Sequence, residues 1–310
     1  MKKNIKISLK NYMFFRYVFC FIIYKLGFIN KHSFRIYPKK ILLNRFRKKY
    51  SKDKLKKLNY IIESPKKDID FKKTIWVFWF QGFDNAPEVV KLCNLALKKN
   101  YKDYNIVYLS KDNINEYIKL PNFVYEKFEK KVISVTHFSD ILRLALLSTY
   151  GGLWVDATTL CTGNNDLKFF QQYNLFVYRE GTIEEDEPIN MGNWLLWSVP
   201  NNEIITDTLN MLLDYWKNYN YLCDYFIFHI LFKIACDIHK SDWKNVPYLN
   251  QVDNHILFAN FFNLFDEKLF FKICNLTDFH KLSYKYDKNK SKKGTLFEKL
   301  INVYDMEKKS

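Results

Sequence analysis

Hydrophobic and polar positions along the chain follow two periods, one typical of buried strands and one typical of helices. Residues 74–80, TIWVFWF, form a continuous apolar run rich in β-branched and aromatic residues, which predicts a strand buried on both faces of a sheet. Residues 84–100 have a proline near the first helical turn and then repeat apolar residues at helical spacing. Residues 104–110, YNIVYLS, predict a second strand. This order favours a right-handed crossover and therefore a parallel sheet.

A longer helix and a third strand follow in the same pattern. Residues 137–152, HFSDILRLALLSTYGG, predict a helix that a glycine pair ends, and residues 153–161, LWVDATTLC, predict the next strand. Beyond residue 200 the pattern predicts mainly helices, including 203–219 and 224–240. In an open α/β sheet, ligands bind beyond the carboxyl ends of the strands. We therefore expect a site at Asp156.

The N-terminal part contains the only stretch that resembles a membrane segment. Arg16 and Lys25 interrupt the apolar residues 11–30, whereas a spanning helix needs roughly 20 predominantly apolar residues. We interpret the stretch as an amphipathic or interfacial helix, which the basic residues 44–57 would help to hold on an anionic inner leaflet. The alternative is an ordinary aromatic-rich helix that packs on the main domain.

The chain changes character near residues 63–73, a polar stretch that contains Pro65. We place a domain boundary there, with a basic, aromatic-rich helical region at 1–70 and the main domain, with a helical C-terminal part, at 71–310. No internal repeat or low-complexity linker is visible in the sequence.

Composition narrows the class of protein. The 310 residues are 48% hydrophobic and 18% aromatic, which excludes a disordered chain. A net charge of +16 is compatible with nucleic acid, an anionic membrane or phosphorylated substrates, but an A/T-biased genome would also enrich lysine. The six cysteines form no C-x-x-C pair, and no small-residue cleavage site follows the apolar N-terminal part. Buried thiols in a cytoplasmic protein are therefore expected.

Three polar residues are expected to converge near the third strand. Asp140 and Arg143 lie three residues apart on one predicted helix, and that helix leads directly to the strand of Asp156. A carboxylate beside an arginine, without a Cys/His or Ser/His pattern, suits a phosphorylated ligand, with which Mg²⁺ or Mn²⁺ often binds. Trp79, after the first strand, is placed to stack on a base, although a core position is the alternative. The absence of P-loop and G-x-G-x-x-G sequences argues against a nucleoside triphosphatase and a dinucleotide dehydrogenase.

The segments TIWVFWFQGFDNAPEVVKLC, HFSDILRLALLSTYGGLWVDATTLCTG and DYFIFHILF closely resemble bacterial capsular polysaccharide synthesis glycosyltransferases. These are relatives of glycosyltransferase family 32 and of the sugar-transferring clostridial toxins. The similarity covers residues 70–285, and its S-D-x-x-R-x(7)-G-G-x-W-x-D block is specific. The resemblance implies an α/β glycosyltransferase-A fold, Rossmann-like, with a mostly parallel sheet flanked by helices and helical additions at both ends. It also implies retaining transfer of a sugar from a nucleotide diphospho-sugar to a capsular polysaccharide or lipid-linked oligosaccharide.

The resemblance also assigns roles to residues of the central block. Trp79 matches the tryptophan that stacks on the nucleotide base, and Asp140 and Arg143 match the pair that contacts the donor ribose and sugar. Asp156 matches the first carboxylate of the D-x-D motif, and Trp154 occupies the aromatic position before it. We expect Asp140, Arg143 and Asp156 to be the catalytic residues.

Further matches lie outside that block. Asn193 matches a family asparagine near the donor sugar and the acceptor. Residues 280–285, HKLSYK, resemble a family tail segment in which Lys281 or Lys285 would neutralise the leaving diphosphate. Asp224 and His229 are candidates for the acceptor side, although His229 also fits a core position. The acidic segment 180–190 is a candidate lid or acceptor loop, or else a solvated charge run.

The expected metal site departs from the family pattern. Thr158 stands where relatives have the second carboxylate of D-x-D, and a neutral hydroxyl is a poorer ligand for Mn²⁺. We still expect Mn²⁺ or Mg²⁺ as the cofactor, bound by Asp156 with Thr158. His255, His280 and Asp253 are candidates for a third ligand, although a lone histidine near an apolar run is more often structural.

The residues alone leave three classes of protein open. A glycoside hydrolase would use two facing carboxylates, and a basic module would bind membrane or nucleic acid without catalysis. The resemblance favours the glycosyltransferase, whose partners would be a nucleotide-sugar donor and a glycan or lipid-linked glycan acceptor, with an anionic membrane surface as a further partner and no nucleic acid. We expect a cytoplasmic protein, peripheral at the inner face of the cytoplasmic membrane.

Overall fold

The structure is a computed structural model that describes residues 9–163, 165–180, 187–287, 289 and 293–309. The N-terminal part contains the helices α1 (Leu9–Lys25), α2 (Lys31–Lys49) and α3 (Lys52–Leu55). The central part contains, in order, β1 (Thr74–Phe78), α4 (Glu88–Asn100), β2 (Asn105–Leu109), α5 (Ile114–Tyr117), α6 (Asn122–Glu129), α7 (Val135–Tyr150), β3 (Gly152–Val155), β4 (Thr159–Cys161), α8 (Asp166–Phe170), β5 (Leu175–Arg179) and β6 (Met191–Ser198). The C-terminal part adds α9 (Glu203–Asn218), α10 (Ile227–Ile238), α11 (Lys240–Lys244), α12 (Val252–Ala259), α13 (Glu267–Cys274), β7 (Phe279–Lys281) and α14 (Leu296–Lys309).

A five-stranded sheet in the order β2-β1-β3-β6-β5 forms the centre of the fold. β1 is parallel to β2 and β3, and β6 is antiparallel to both β3 and β5. Four of the five strands therefore point the same way. This confirms the predicted α/β fold with a mostly parallel sheet flanked by helices.

The two faces of the sheet bury different side chains because successive residues of a strand point to opposite sides. On one face, Trp76 and Trp154 join a cluster with apolar residues of α7, α9 and α10. On the other face, Ile75 and Leu153 join a cluster with residues of α4 and α8. Burial on both faces explains why β1 and β3 are continuous apolar runs.

The turn from α7 into β3 requires both of its glycines. Gly151 has φ +70° and Gly152 has φ +99°, a region that other residues rarely adopt. A Cβ at Gly152 would lie 2.8 Å from the carbonyl oxygen of Thr74, and one at Gly151 would lie 2.7 Å from Pro200 Cδ. The glycine pair therefore sets the position of α7 relative to β3.

The predicted single strand at 153–161 is wrong, because two separate strands occupy these residues. β3 ends at Val155, and a β-turn follows, in which the Thr159 N–H donates to the Asp156 carbonyl oxygen over 3.0 Å. β4 then pairs with β7 in a second, two-stranded sheet. No glycine or proline marks the break, because neither Ala157 nor Thr158 needs a positive φ in this turn.

The N-terminal helices pack on the C-terminal helices of the main domain. Leu42 and Phe46 of α2 are buried in the same cluster as residues of α9 and α10. Asp214 of α9 accepts hydrogen bonds from Lys49 over 2.6 Å and from Tyr50 over 2.7 Å. In the described part of the chain, no helix is both long and apolar enough to cross a membrane. The domain boundary at residue 70 stays a prediction.

The cysteines agree with the expectation of buried thiols. All six are free, five of them are buried, and Cys274 is half-buried. Burial raises the pKa of the Cys93 thiol, although the positive charge of Lys281 opposes this shift.

Candidate functional site

Asp156 lies directly after β3, at the carboxyl edge of the parallel strands. Its backbone N–H donates to the Trp194 carbonyl oxygen over 2.8 Å, which continues the pairing with β6. The Trp154 indole donates to Asp156 Oδ1 over 3.1 Å. The carboxylate is 25% exposed, so it is fixed by the sheet and still accessible to a ligand.

Two cations flank this carboxylate. Lys281 Nζ lies 2.9 Å from Asp156 Oδ2, and an Arg143 guanidinium nitrogen lies 3.5 Å from Oδ1. Burial would raise the pKa of Asp156, but the charges of Lys281 and Arg143 and the hydrogen bonds from Lys281 and Trp154 more than offset it. The pKa of Asp156 is therefore below its usual range, and the carboxylate is ionised at neutral pH.

Asp140 anchors a buried polar network on α7, a helix that Ser134 caps at its N-terminus. Asp140 Oδ1 accepts a hydrogen bond from Asn193 Nδ2 over 2.9 Å and lies 3.5 Å from an Arg143 guanidinium nitrogen. Asp140 Oδ2 lies 3.3 Å from His137 Nδ1. Because β6 runs opposite to β3, its early residue Asn193 reaches the same edge as Asp156.

Arg143 connects the two carboxylates and is held from several directions. Its guanidinium lies over the Trp154 ring, 4.9 Å from the ring centre, and donates to the Asn193 carbonyl oxygen. It also donates to Ser139 Oγ over 3.1 Å. Arg143 is only 4% exposed. A buried cation with this many partners has a fixed orientation, which suits recognition of an anionic ligand.

The second sheet brings Lys281 to this group. In the β4–β7 pair Lys281 is opposite Thr159, and the Leu282 N–H donates to the Thr158 carbonyl oxygen over 2.8 Å. This register places Lys281 Nζ 2.7 Å from Thr158 Oγ1 as well as close to Asp156. Thr158 therefore belongs to the site because its hydroxyl accepts a hydrogen bond from Lys281.

Trp79 and Lys285 lie at the periphery of the site. Trp79 follows β1, and the register between β1 and its parallel neighbour β3 puts Trp79 at the same edge as Asp156. Trp79 is half-buried, and its ring lies perpendicular to that of Tyr284 with the two ring centres 5.1 Å apart. Lys285 Nζ lies 5.6 Å from the Tyr284 ring centre. The tryptophan therefore keeps exposed surface on which a base can stack.

The two acceptor candidates have different surroundings. Tyr17 of α1 donates a hydrogen bond to Asp224, and Lys39 of α2 lies 3.9 Å away, so Asp224 binds the N-terminal helices. His229 is 8% exposed, and its Nδ1 has no hydrogen-bond partner. Burial lowers the pKa of His229 to about 4, a shift that Asp140 opposes and Arg143 reinforces. His229 therefore faces the charged cluster as a neutral imidazole.

The two histidine candidates for a third metal ligand have other hydrogen-bond partners. His255 is exposed, and its Nδ1 lies 2.7 Å from the Gln251 carbonyl oxygen. His280 is fully buried, and its Nε2 lies 2.9 Å from Thr162 Oγ1. Asp253 is half-buried on α12.

Among the residues that the structure describes, one group of three metal-ligand side chains is close enough to share an ion, and it does not include Asp156. It consists of Glu203, His239 and Asp242. Glu203 and Asp242 are exposed, and the two ring nitrogens of His239 lie 2.9 Å from Glu203 and 2.6 Å from Asp207. This group has the character of a surface ion cluster.

Three residues of the site were not predicted from the sequence. His137 contacts Asp140, and the ring of Tyr225 lies 5.7 Å from the His137 ring with 60% of Tyr225 exposed. Tyr284 contacts Trp79. The helical spacing of His137 and Asp140 is a signal that would have identified the first of them.

The candidate loop at 180–190 is described only at its ends, since residues 181–186 lie outside the described ranges. At its C-terminal end, Glu187 is buried and lies 3.8 Å from Lys40 of α2.

Comparisons with known proteins show the family to which the chain belongs. The model of the capsular polysaccharide synthesis protein family matches residues 22–300, and the chain belongs to that family. It is similar to the O-glycosyltransferase braB of Annulohypoxylon truncatum, with 30% identity over 95 residues that cover 27% of this chain. The match spans 22% of that curated relative's length. Among solved structures, the PaToxG glycosyltransferase matches with a TM-score of 0.39 and 17% identity, over 68% of this chain and 82% of that chain.

Proposed function

We propose that this protein is a retaining glycosyltransferase that moves a sugar from a nucleotide diphospho-sugar to a growing capsular polysaccharide or lipid-linked oligosaccharide. The observation that carries the proposal is the convergence of Asp140, Arg143, Asp156 and Lys281 at the carboxyl edge of the sheet. The half-exposed ring of Trp79 lies at the same edge. Membership of the capsular polysaccharide synthesis family and the similarity to a named glycosyltransferase support it.

The charges of the site suit both the sugar and the diphosphate of such a donor. The ionised Asp156 offers an acceptor to sugar hydroxyl groups, and Arg143 and Lys281 offer positive charge to the diphosphate. When the bond between the sugar and the diphosphate breaks, its electron pair goes to the diphosphate oxygen. The acceptor hydroxyl attacks the anomeric carbon from the same face, and its proton passes to the diphosphate. Catalysis then depends on fixed charges and positioning.

A glycoside hydrolase fits these residues less well. It needs a carboxylic acid that protonates the leaving oxygen, opposite a second carboxylate. Arg143 lies 3.5 Å from an oxygen atom of both Asp140 and Asp156, so the two carboxylates share a cation and are not arranged as an acid opposite a second carboxylate. Asp156 is held ionised by its two cations, which is the opposite of what a general acid needs.

The N-terminal helix supports a peripheral position on an anionic membrane. Met13 and Cys20 attach α1 to the body and are 2% and 1% exposed. The other faces of α1 expose a set of large apolar side chains, namely Phe14, Phe15, Phe19, Phe21 and Ile22. Together with the basic residues of α1 and α2, this surface suits insertion at the level of the lipid head groups.

The same helix lies close to the proposed acceptor side. Tyr17 of α1 binds Asp224, and the next residue, Tyr225, contacts His137 of the Asp140 network. A lipid-linked acceptor held at α1 would therefore have its sugar end near Asp140. This arrangement supports an acceptor that is attached to the membrane.

The test is the release of nucleoside diphosphate from a panel of nucleotide diphospho-sugars, with and without membrane lipid extracts. We expect at least one donor to be turned over and Asp156→Asn to remove that turnover. Asp103→Asn, which changes an exposed aspartate, is the matched control and should behave as the wild type. Release of sugar from a glycan without any nucleotide would instead indicate a hydrolase.

A further inference from the structure

A lysine side chain binds the two oxygen atoms between which the family pattern predicts a metal ion. Lys281 Nζ donates to Asp156 Oδ2 over 2.9 Å and to Thr158 Oγ1 over 2.7 Å. These two residues correspond to the first and third positions of the D-x-D motif. The ammonium therefore bridges the positions whose carboxylates would share a divalent cation.

The remaining donor set does not fit Mn²⁺ or Mg²⁺. Such ions need several oxygen ligands, and Thr158 offers only a neutral hydroxyl. The second oxygen of Asp156 accepts from the Trp154 indole and faces Arg143 at 3.5 Å. Both oxygens of the carboxylate thus face donors, and a divalent cation here would be repelled by two positive side chains.

The position of Lys281 is set by the backbone as well as by its charge. β7 pairs with β4 directly after the turn that contains Thr158, and the Leu282 N–H donates to the Thr158 carbonyl oxygen. Lys281 is 20% exposed at its side chain. An ammonium has three N–H donors, and two of them are directed at Asp156 and Thr158. The third N–H can donate a hydrogen bond to a phosphate oxygen of a bound nucleotide sugar.

We propose that the ammonium of Lys281 replaces the divalent cation in this protein and that sugar transfer needs no metal ion. The inference rests on the proposed function, because it concerns the same nucleotide diphospho-sugar. As the bond from the anomeric carbon to the diphosphate oxygen breaks, its electron pair adds negative charge to the diphosphate. Lys281 and Arg143 stabilise that charge in place of a metal.

The first test compares wild-type protein with and without EDTA in the assay for nucleoside diphosphate release. We expect turnover within twofold of the untreated protein and no gain when Mn²⁺ or Mg²⁺ is added. Lys281→Met should lower turnover about 100-fold, as loss of a fixed positive charge at a leaving group does. Lys102→Met, which changes an exposed lysine outside the site, is the matched control and should keep wild-type turnover.

The second test restores the second carboxylate. The double variant Thr158→Asp/Lys281→Met should bind Mn²⁺ in a calorimetric titration, whereas the wild type should show no binding heat. Its turnover should rise at least tenfold on addition of Mn²⁺ and fall again with EDTA. The Mn²⁺ titration is a readout that does not depend on catalysis.

The outcomes separate the two proposals. If EDTA abolishes wild-type turnover and Mn²⁺ restores it, the metal-independent site is wrong while the glycosyltransferase stands. If no donor is turned over with or without metal, the proposed function fails and the inference fails with it. Should Lys281→Met unfold, as circular dichroism would show, the wild-type EDTA result and the wild-type Mn²⁺ titration still decide the question.

Discussion

Two buried histidines make the stability of this protein sensitive to mild acid. His229 is 8% exposed and His280 is completely buried, and burial lowers the pKa of each to about 4. In the unfolded chain each imidazole titrates near its ordinary value of about 6.5. Between these values the unfolded state binds more protons than the folded state, so the free energy of unfolding falls as the pH falls. The free energy of unfolding is therefore highest above the unfolded pKa of about 6.5 and falls as the pH decreases from there towards the folded pKa of about 4.

The magnitude follows from the two pKa values. At pH 5.5 about ten of every eleven unfolded imidazoles carry a proton, which lowers the free energy of unfolding by about 1.4 kcal/mol per histidine relative to pH 8. His229 and His280 together account for about 3 kcal/mol, a large share of the roughly 5–15 kcal/mol that stabilises a typical domain.

The assay is urea unfolding at pH 8 and pH 5.5, followed by tryptophan fluorescence. The free energy of unfolding should fall less between pH 8 and pH 5.5 in the variants than in the wild type. The difference should be about 1.4 kcal/mol for His229→Gln and about twice that for His229→Gln/His280→Gln. His255→Gln, which changes an exposed histidine, is the control and should leave the loss unchanged. The reasoning is refuted if the double variant loses as much stability as the wild type between pH 8 and pH 5.5.

Three further predictions concern the turn, the N-terminal helices and the membrane. Gly152→Ala should lower the free energy of unfolding by about 3 kcal/mol in urea, because the new Cβ meets a β1 carbonyl oxygen at a positive φ; an unchanged midpoint would contradict this. Burial would raise the pKa of Asp214, but the hydrogen bonds from its lysine and tyrosine partners lower it. The stabilisation that Asp214 gives the folded state is therefore complete above about pH 4, the pKa in the unfolded chain, and is lost as the pH falls through the lower pKa of the folded state. The protection of α2 amides from hydrogen exchange, measured against the unprotected rate at the same pH, should therefore fall below about pH 4, and Asp214→Asn should show the lower protection already at neutral pH. Phe15→Ser/Phe19→Ser should weaken binding to vesicles of anionic lipid at least tenfold, since two exposed aromatic rings are lost, while turnover of a soluble donor stays the same.

Local sequence patterns predicted most of the central fold because buried residues recur along the sequence at the spacing of a helix or a strand. The expected strand at 74–80 is β1 at Thr74–Phe78, and the expected helix at 137–152 is α7 at Val135–Tyr150. The pattern failed at 153–161, where apolar and β-branched residues continue through a turn that needs no glycine or proline.

Local patterns predicted the parts of the site that follow from helical spacing or from a position directly after a strand. Asp140 and Arg143 follow from helical spacing, and Asp156 follows from its place after a strand. The position of Lys281 depends on the pairing of β4 with β7 and on a contact to Asp156 across 125 residues. No local pattern encodes such a pairing, so the sequence suggested a phosphate contact for Lys281 but not its bridge to Thr158.

The net charge of +16 was a poor guide to the site. The cations that matter here are paired with carboxylates, Arg143 with Asp140 and Asp156, and Lys281 with Asp156. Their effect comes from burial and fixed geometry, which composition does not report.

The proposed function of the group around Asp156 is the transfer of a sugar from a nucleotide donor. The most direct measurement is proton NMR of the product formed from a turned-over donor and a membrane lipid extract, for the wild type and for Asp156→Asn. We expect an acceptor-linked sugar with the anomeric configuration of the donor, formed by the wild type and absent with Asp156→Asn. Transfer by Asp156→Asn at the wild-type rate, or a product of inverted configuration, would contradict it.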